Sequence, residues 1–325
     1  MTGVAKKIYE HEIDDNFEIY VLIKSADIRL AKNGKKFIAF TFQDRSGQID
    51  GKYWDAKEED IQQFQAGQVV AVTGKRELYQ NNPQLRITKL RLAREGEPSR
   101  PELYMERAPL KSEEMVEEVS QILFEITSAP INRIVRHILK KYQREFFEYP
   151  AAKRHHHAIV GGLGFHTVSI LRMAKTVIQH YPSVNKSLLY GGVILHDIGK
   201  TIELSGSMST EYTLKGNLIG HIVLIDEEIT KACLSLNIDE DSEEVILLKH
   251  IVLAHHGKQE FGSPVTPHLL EAEIIHHLDN LDASINMIDT ALLRTTPGTF
   301  SERIFGLENR SFYKPLFVQP SEEGQ

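Results

Sequence analysis

The sequence predicts a multidomain chain in which a small all-β barrel is followed by a larger all-α domain. Three observations carry that prediction. Between Glu12 and Ala93, short β-rich runs are separated by turn residues. After Lys111 the apolar period lengthens to that of helices and stays there. The charge divides at the same place: residues 1–95 hold 16 Lys+Arg against 14 Asp+Glu, which leaves 22 against 31 for the rest within a net charge of −7.

At 325 residues, 41% hydrophobic and 26% charged, the chain can bury two cores. No apolar stretch approaches the ~20 residues needed to cross a bilayer, and the N-terminus lacks a signal-peptide core, so a cytoplasmic protein without a membrane partner is expected. A single cysteine, Cys233, rules out an intrachain disulfide and a thiolate zinc site. Any metal must therefore be held by nitrogen and oxygen.

Within the barrel segment, residues 17–23 alternate and are rich in β-formers, and Asn33-Gly34 signals a hairpin. Residues 36–42 form a second strand and 48–54 a third, after the turn Asp44-Arg-Ser-Gly47. A short helix (58–64) precedes strands over 68–74 and 84–92. Five strands with a helix between the third and fourth is the order of an OB-fold barrel, and the segment resembles nucleic-acid-binding OB domains through Phe42-Gln-Asp44-Arg-Ser-Gly47 and Tyr53-Trp54. Cations interleaved with aromatics are how such barrels hold single strands. On that basis Lys36, Phe40, Tyr53, Trp54, Lys75, Arg76, Arg86 and Lys89 are the candidate nucleic-acid contacts, with Phe37 and Tyr79 also available for stacking. The balance of +2 is too small for tight binding by charge alone.

Residues 96–111 are polar and proline-bearing and read as a linker, which sets domains at 12–95 and 112–310 with a flexible tail over 311–325. The helical part opens with Ser112 as an N-cap and acids in the first turn. A second amphipathic helix is expected over 132–147, ended by Tyr149-Pro150. Leu188 to Leu195 is an apolar run carrying His196-Asp197 at its end, and Gly199 is the residue type expected just past a helix C-terminus. Ser242 to Gly257 is a punctuated helix with His255 and His256 in its last turn. Another helix starts at Thr266, with Pro267 in its first position and Asp279 and Asp282 one turn apart.

Fifteen histidines is a high count, and most lie between His137 and His277. Burying His196 beside Asp197 is costly without compensation, and a divalent cation is the commonest compensation. The order His166, His196-Asp197, His221, His255-His256, Asp279 across successive helices resembles the HD superfamily of metal-dependent phosphohydrolases. The resemblance implies that His166, His196, Asp197 and Asp279 bind a first metal. Asp197 would bridge to a second, held by His221 and by His255 or His256. Asp282 is left a surface or hydrogen-bonding role, and Lys200 would face the scissile phosphate, so Asp197 and Lys200 are the catalytic candidates. Imidazole and carboxylate ligands suit Mn, Fe, Co, Ni or Zn, with Mg also allowed and Mn the preferred choice.

The combination of an OB domain with His156-His157-Ala-Ile-Val-Gly161-Gly162-Leu163-Gly164-Phe165-His166-Thr167 and Leu278-Asp-Asn-Leu-Asp-Ala283 resembles the YhaM family of bacterial 3′→5′ exoribonucleases. Gly164-Phe165 departs from the acid common before the histidine. The resemblance implies an exonuclease acting on single-stranded RNA, and on single-stranded DNA as well, that uses a metal-activated water to release nucleoside 5′-monophosphates. It also makes His156 and His157 substrate contacts. A homo-oligomer is compatible with this reading. Two rivals stay open: an HD phosphohydrolase acting on nucleotides or other small molecules, and a catalytically silent single-strand-binding protein.

Overall fold

The computed structural model describes residues 6–31, 34–79, 82–153, 157–207 and 210–317. The chain divides into two compact units, residues 1–106 with 290–325 and residues 107–289.

The first unit contains strands β1 (Asn16–Leu30), β2 (Lys36–Asp44), β3 (Gly47–Tyr53), β4 (Val69–Tyr79) and β5 (Asn82–Leu92), with helix α1 (Glu58–Gln63) before β4. They close in the order β1-β2-β3-β5-β4, β1 pairing with both β2 and β4 and β3 running parallel to β5. This is the OB order the sequence predicted. Side chains alternate across each strand, so Ile38, Phe40 and Phe42 all enter the core beside Val21, Ile23, Val70, Val72 and Leu85. β1 and β4 outrun their predicted lengths because their far ends pair as two-stranded arms, Leu30 with Lys36 and Tyr79 with Asn82. Out there Ile28, Leu30, Leu78 and Tyr79 are exposed, so the alternation that marks a buried face is lost. Gly34 supplies the left-handed backbone (φ 77°) of the β1–β2 turn.

Residues 96–106 are not the free linker expected. Tyr104 and Met105 are buried, the Tyr104 hydroxyl donates to the Pro98 carbonyl at 2.6 Å, and Glu97 pairs with Arg91 at 2.7 Å. Nor does the helical unit reach 310. Residues from 290 on group with the barrel unit, and Tyr313 in the expected tail bridges to Phe300.

The second unit is helical: α2 (Ser112–Glu125), α3 (Ala129–Lys141), α4 (Gln143–Glu148), α5 (Gly162–His180), α6 (Lys186–Leu195), α7 (Lys200–Glu203), α8 (Leu214–Leu218), α9 (His221–Leu236) and α10 (Glu243–Ala254), followed by α11 (Leu270–Leu293), which runs past residue 289. Lys111 rather than Ser112 is the N-cap of α2, its backbone N–H donating to Glu114. The helix expected over 132–147 breaks at Tyr142 into α3 and α4, and Ser128 caps α3. α11 starts at Leu270, beyond Pro267, and the His268 N–H ahead of it donates to His250 Nε2 at 2.9 Å.

α6 is buried on every side, and a pair of glycines lets it be so. A Cβ on Gly191 would lie 2.7 Å from Ile131 of α3, and one on Gly192 would lie 2.5 Å from Ile251 of α10 and 2.7 Å from Ile275 of α11. That close packing fixes the axial position of α6 and of the residues at its C-terminus. Gly192→Val should therefore destabilise the helical unit by at least about 1–3 kcal/mol through overpacking, read as a fall in the urea midpoint at unchanged m.

Candidate metal centre

α6 ends in His196 and Asp197, both essentially inaccessible to solvent. Around Asp197 converge His166 from the second turn of α5, His221 from the first turn of α9, His255 and His256 from the end of α10, and Asp279 from α11. The Asp197 carboxylate divides them between its two oxygens. Oδ1 lies 3.5 Å from His221 Nε2 and 3.8 Å from His255 Nε2, and Oδ2 lies 3.5 Å from His196 Nε2 and 3.6 Å from His166 Nε2. Asp279 Oδ1 faces His166 Nε2 at 3.1 Å.

The outer ring nitrogens explain why the inner ones point inward. Nδ1 of His196 meets the Val193 carbonyl, that of His255 the Val252 carbonyl and that of His256 the Phe261 carbonyl, each at 2.7 Å. Nδ1 of His221 meets Glu203 at 3.2 Å and that of His166 meets Asp282 at 2.6 Å. Carbonyls and carboxylates only accept, so each Nδ1 carries a proton, and in the neutral ring the lone pair is left on Nε2, the arrangement of metal-bound histidine.

Four buried atoms at the centre, Nε2 of His196, His221 and His255 together with Asp197 Oδ1, have no hydrogen-bond partner. An unpaired buried polar atom costs about 1–3 kcal/mol, and four lone pairs aimed at one space do not satisfy one another. A divalent cation does. Nitrogen and oxygen donors grouped around one buried carboxylate are a ligand set that could hold a divalent metal.

The electrostatics agree. Burial pushes the imidazoles of His196, His255 and His256 below the ordinary histidine pKa, which keeps them neutral and able to ligate. Burial opposes ionisation of Asp197, but Lys200 and the surrounding histidines override it and hold the carboxyl well below its usual value. For His166, burial opposes the charge, yet the carboxylates of Asp279 and Asp282 raise its pKa to about 9. A proton or a metal cation is what stabilises Nε2 and Asp279 Oδ1 facing each other.

Lys200 is buried and its Nζ donates to Asp197 Oδ2 at 2.7 Å, so neither helix-end carbonyls nor solvent hold it. Gly199 is not the left-handed cap expected. Its backbone is right-handed (φ −58°), and glycine is required because a Cβ would lie 2.2 Å from the His221 carbonyl oxygen. His157 is corrected too. It is buried, with Nε2 on Asp282 at 2.7 Å, so it is not a surface substrate contact. His156 lies outside the described residues. Asp282 takes the hydrogen-bonding option rather than the surface one, and Glu203 holds His221, accepting from its backbone N–H at 3.1 Å and meeting its Nδ1 at 3.2 Å.

On the barrel, Phe40 is corrected from contact to core, since period-two alternation turns it inward with Phe42. Tyr53 is half-buried with its ring edge-on to Phe64. Trp54 is 56% exposed and its ring lies tilted against that of Phe37 at 4.7 Å. Phe37 itself is buried rather than available for stacking, and the Lys52 ammonium lies over Trp54 at 5.7 Å and Tyr79 at 5.3 Å. Lys52, absent from the sequence candidates, was signalled by its place two residues before Trp54 on β3. Arg86, paired in register with both Lys52 and Lys75, is exposed, as is Lys89. Lys36 pairs with Glu58 at 3.0 Å and Lys75 with Asp14 at 2.7 Å, exposed contacts worth about 0–1 kcal/mol that a phosphate can replace. Arg76 instead lies over the Tyr9 ring and donates to the Tyr9 carbonyl, so it belongs to the other face of β4.

A closed barrel with an exposed aromatic and cationic patch, and a helical unit built around a buried His/Asp centre, define a two-domain protein of the OB-plus-HD class. Residues 19–93 match the family described as OB-fold nucleic acid binding domain, and residues 163–284 match the HD domain. Over 314 residues the chain is 50% identical to the 3′-5′ exoribonucleases YhaM of Listeria monocytogenes serotype 4b, Listeria welshimeri and Listeria innocua, covering 97% of this chain and 100% of each relative. The chain belongs to the YhaM family of 3′-5′ exoribonucleases.

If the four unpartnered atoms are metal ligands, adding Mn²⁺ to metal-stripped protein should raise its melting temperature, with about 2.7 kcal/mol of added stability at a hundredfold excess over Kd. Asp197→Ala should abolish that rise when measured by calorimetry under the same conditions.

Proposed function

We propose that the protein is a metal-dependent 3′→5′ exoribonuclease, with single-stranded DNA as a second substrate, in which the barrel holds the strand and the helical unit hydrolyses its 3′-terminal phosphodiester. The observation that carries the proposal is the Asp197 carboxylate, with a separate histidine group on each oxygen. Such a carboxylate suits two divalent ions, Mn²⁺ being the preferred pair. When bound, those ions activate a water and stabilise the attacking and leaving oxygens of the displacement.

The chain's own residues do the rest. His166, His196 and Asp279 would hold one ion and His221, His255 and His256 a second, with Asp197 available to both. Lys200 keeps Asp197 ionised through one N–H of its ammonium, and two further N–H donors are left for a phosphate oxygen. A buried ammonium beside the centre also balances the negative charge that a strand brings in. On the barrel, Trp54 and Tyr79 offer stacking surfaces, and Lys52, Arg86, Lys75 and Lys89 offer cations along β3, β5 and β4. Stacking on such a patch is tolerant of sequence, as a degradative exonuclease requires. No helix among the described residues is long and apolar enough to cross a membrane, which is compatible with a cytoplasmic enzyme.

A 5′-labelled single-stranded RNA should shorten in a ladder while a 3′-labelled one releases labelled mononucleotide at once. Asp197→Ala should remove both signals. Trp54→Ala should weaken binding of long strands by about 1–3 kcal/mol and leave hydrolysis of a dinucleotide unchanged. A variant that slows both substrates equally would detach the barrel patch from strand binding.

A further inference from the structure

His166 is anchored unlike the other histidines of the centre. His196 and His255 sit at helix C-termini, where the carbonyls of Val193 and Val252 lack a partner in the helix and accept the ring N–H. His166 lies inside α5, where neighbouring carbonyls are already used by the helix, so its Nδ1–H must find a side chain. It finds Asp282, one turn beyond Asp279 on α11. The two aspartates thus take opposite edges of a single ring, Asp279 at Nε2 and Asp282 at Nδ1.

Asp282 is itself built in. It is 7% exposed, and its Oδ2 accepts from His166 Nδ1 at 2.6 Å and from His157 Nε2 at 2.7 Å, while Oδ1 accepts from the hydroxyl of Ser169, one turn along α5. His157 is held in turn. Its backbone is left-handed (φ 49°), its N–H donates to Asn286 Oδ1 at 2.9 Å, and its ring packs edge-on against Phe165 at 5.4 Å. Nitrogen–oxygen separations of 2.6–2.7 Å are hydrogen bonds, too short for ligands spread around an ion at about 2.1 Å from each. His157, His166 and Asp282 are therefore a support and not a further ion site.

We infer that Asp282, loaded by His157 and Ser169, is a positioning residue that fixes the Nδ1–H tautomer of His166 and aims its Nε2 at the metal. This rests on the metal-centre reading above. It gives the histidine before the Gly-Gly-Leu turn a buried mechanical task, two steps removed from the ion.

The test is calorimetric titration of Mn²⁺ into metal-stripped full-length protein, with melting temperature recorded in parallel. Asp282→Ala removes the acceptor and should weaken Mn²⁺ binding about 10- to 100-fold. Asp282→Asn keeps a carbonyl oxygen for both rings and presents its amide N–H to the Ser169 oxygen, so it should retain affinity to within about threefold, since both imidazole hydrogen bonds are preserved. Variants that melt earlier but bind Mn²⁺ like the wild type would overturn the positioning role and leave the metal centre standing. Wild-type protein that takes up no Mn²⁺ would overturn the metal centre and this inference with it. Should Asp282→Ala fail to fold, Ser169→Ala decides: weaker Mn²⁺ binding supports the role, and unchanged binding contradicts it.

Discussion

The Asp197 carboxylate is buried at the end of an apolar helix, and much of the helical unit serves to make that charge tolerable. An isolated carboxylate in such surroundings would take up a proton. Lys200 supplies one compensating charge from the next turn, and the ring of histidines supplies lone pairs that need a cation of their own. A buried acid that stays ionised only among cations is at once a structural liability and a ligand.

Helix geometry then explains how the ligands are aimed. Two of the histidines use the free carbonyls of their own helix ends, so termination of α6 and α10 and orientation of His196 and His255 are one event. His221 begins α9, where Glu203 accepts both its backbone N–H and its ring N–H. Gly199 allows the His221 carbonyl to approach the turn after Asp197. Close packing of the glycines in α6 carries these constraints to α10 and α11.

Much of this was legible in the sequence. Strand periodicity and turn residues marked the barrel, and the order of histidines and aspartates marked the centre. What was not legible has physical causes. Alternation says that Phe40 and Phe42 share a face but not that the face is inward, so Phe40 passed for a contact. Spacing of three on a helix puts Asp279 and Asp282 on one side without saying that both address His166. A run of histidines before a glycine pair looks like an exposed turn, and only the left-handed backbone at His157 brings its ring under α11. Gly199 reads in sequence as the residue just past a helix C-terminus, and only the backbone angle and the His221 carbonyl show that a close approach requires it.

The central claim is that Asp197 bridges two cations. Crystals of the full chain grown with Mn²⁺ and measured at the manganese edge test it most directly. Two anomalous peaks, one beside each Asp197 oxygen and flanked by His166 with His196 and by His221 with His255, are the predicted result. Absence of anomalous density at Asp197, or a single peak that leaves either oxygen without a neighbouring ion, would contradict the account.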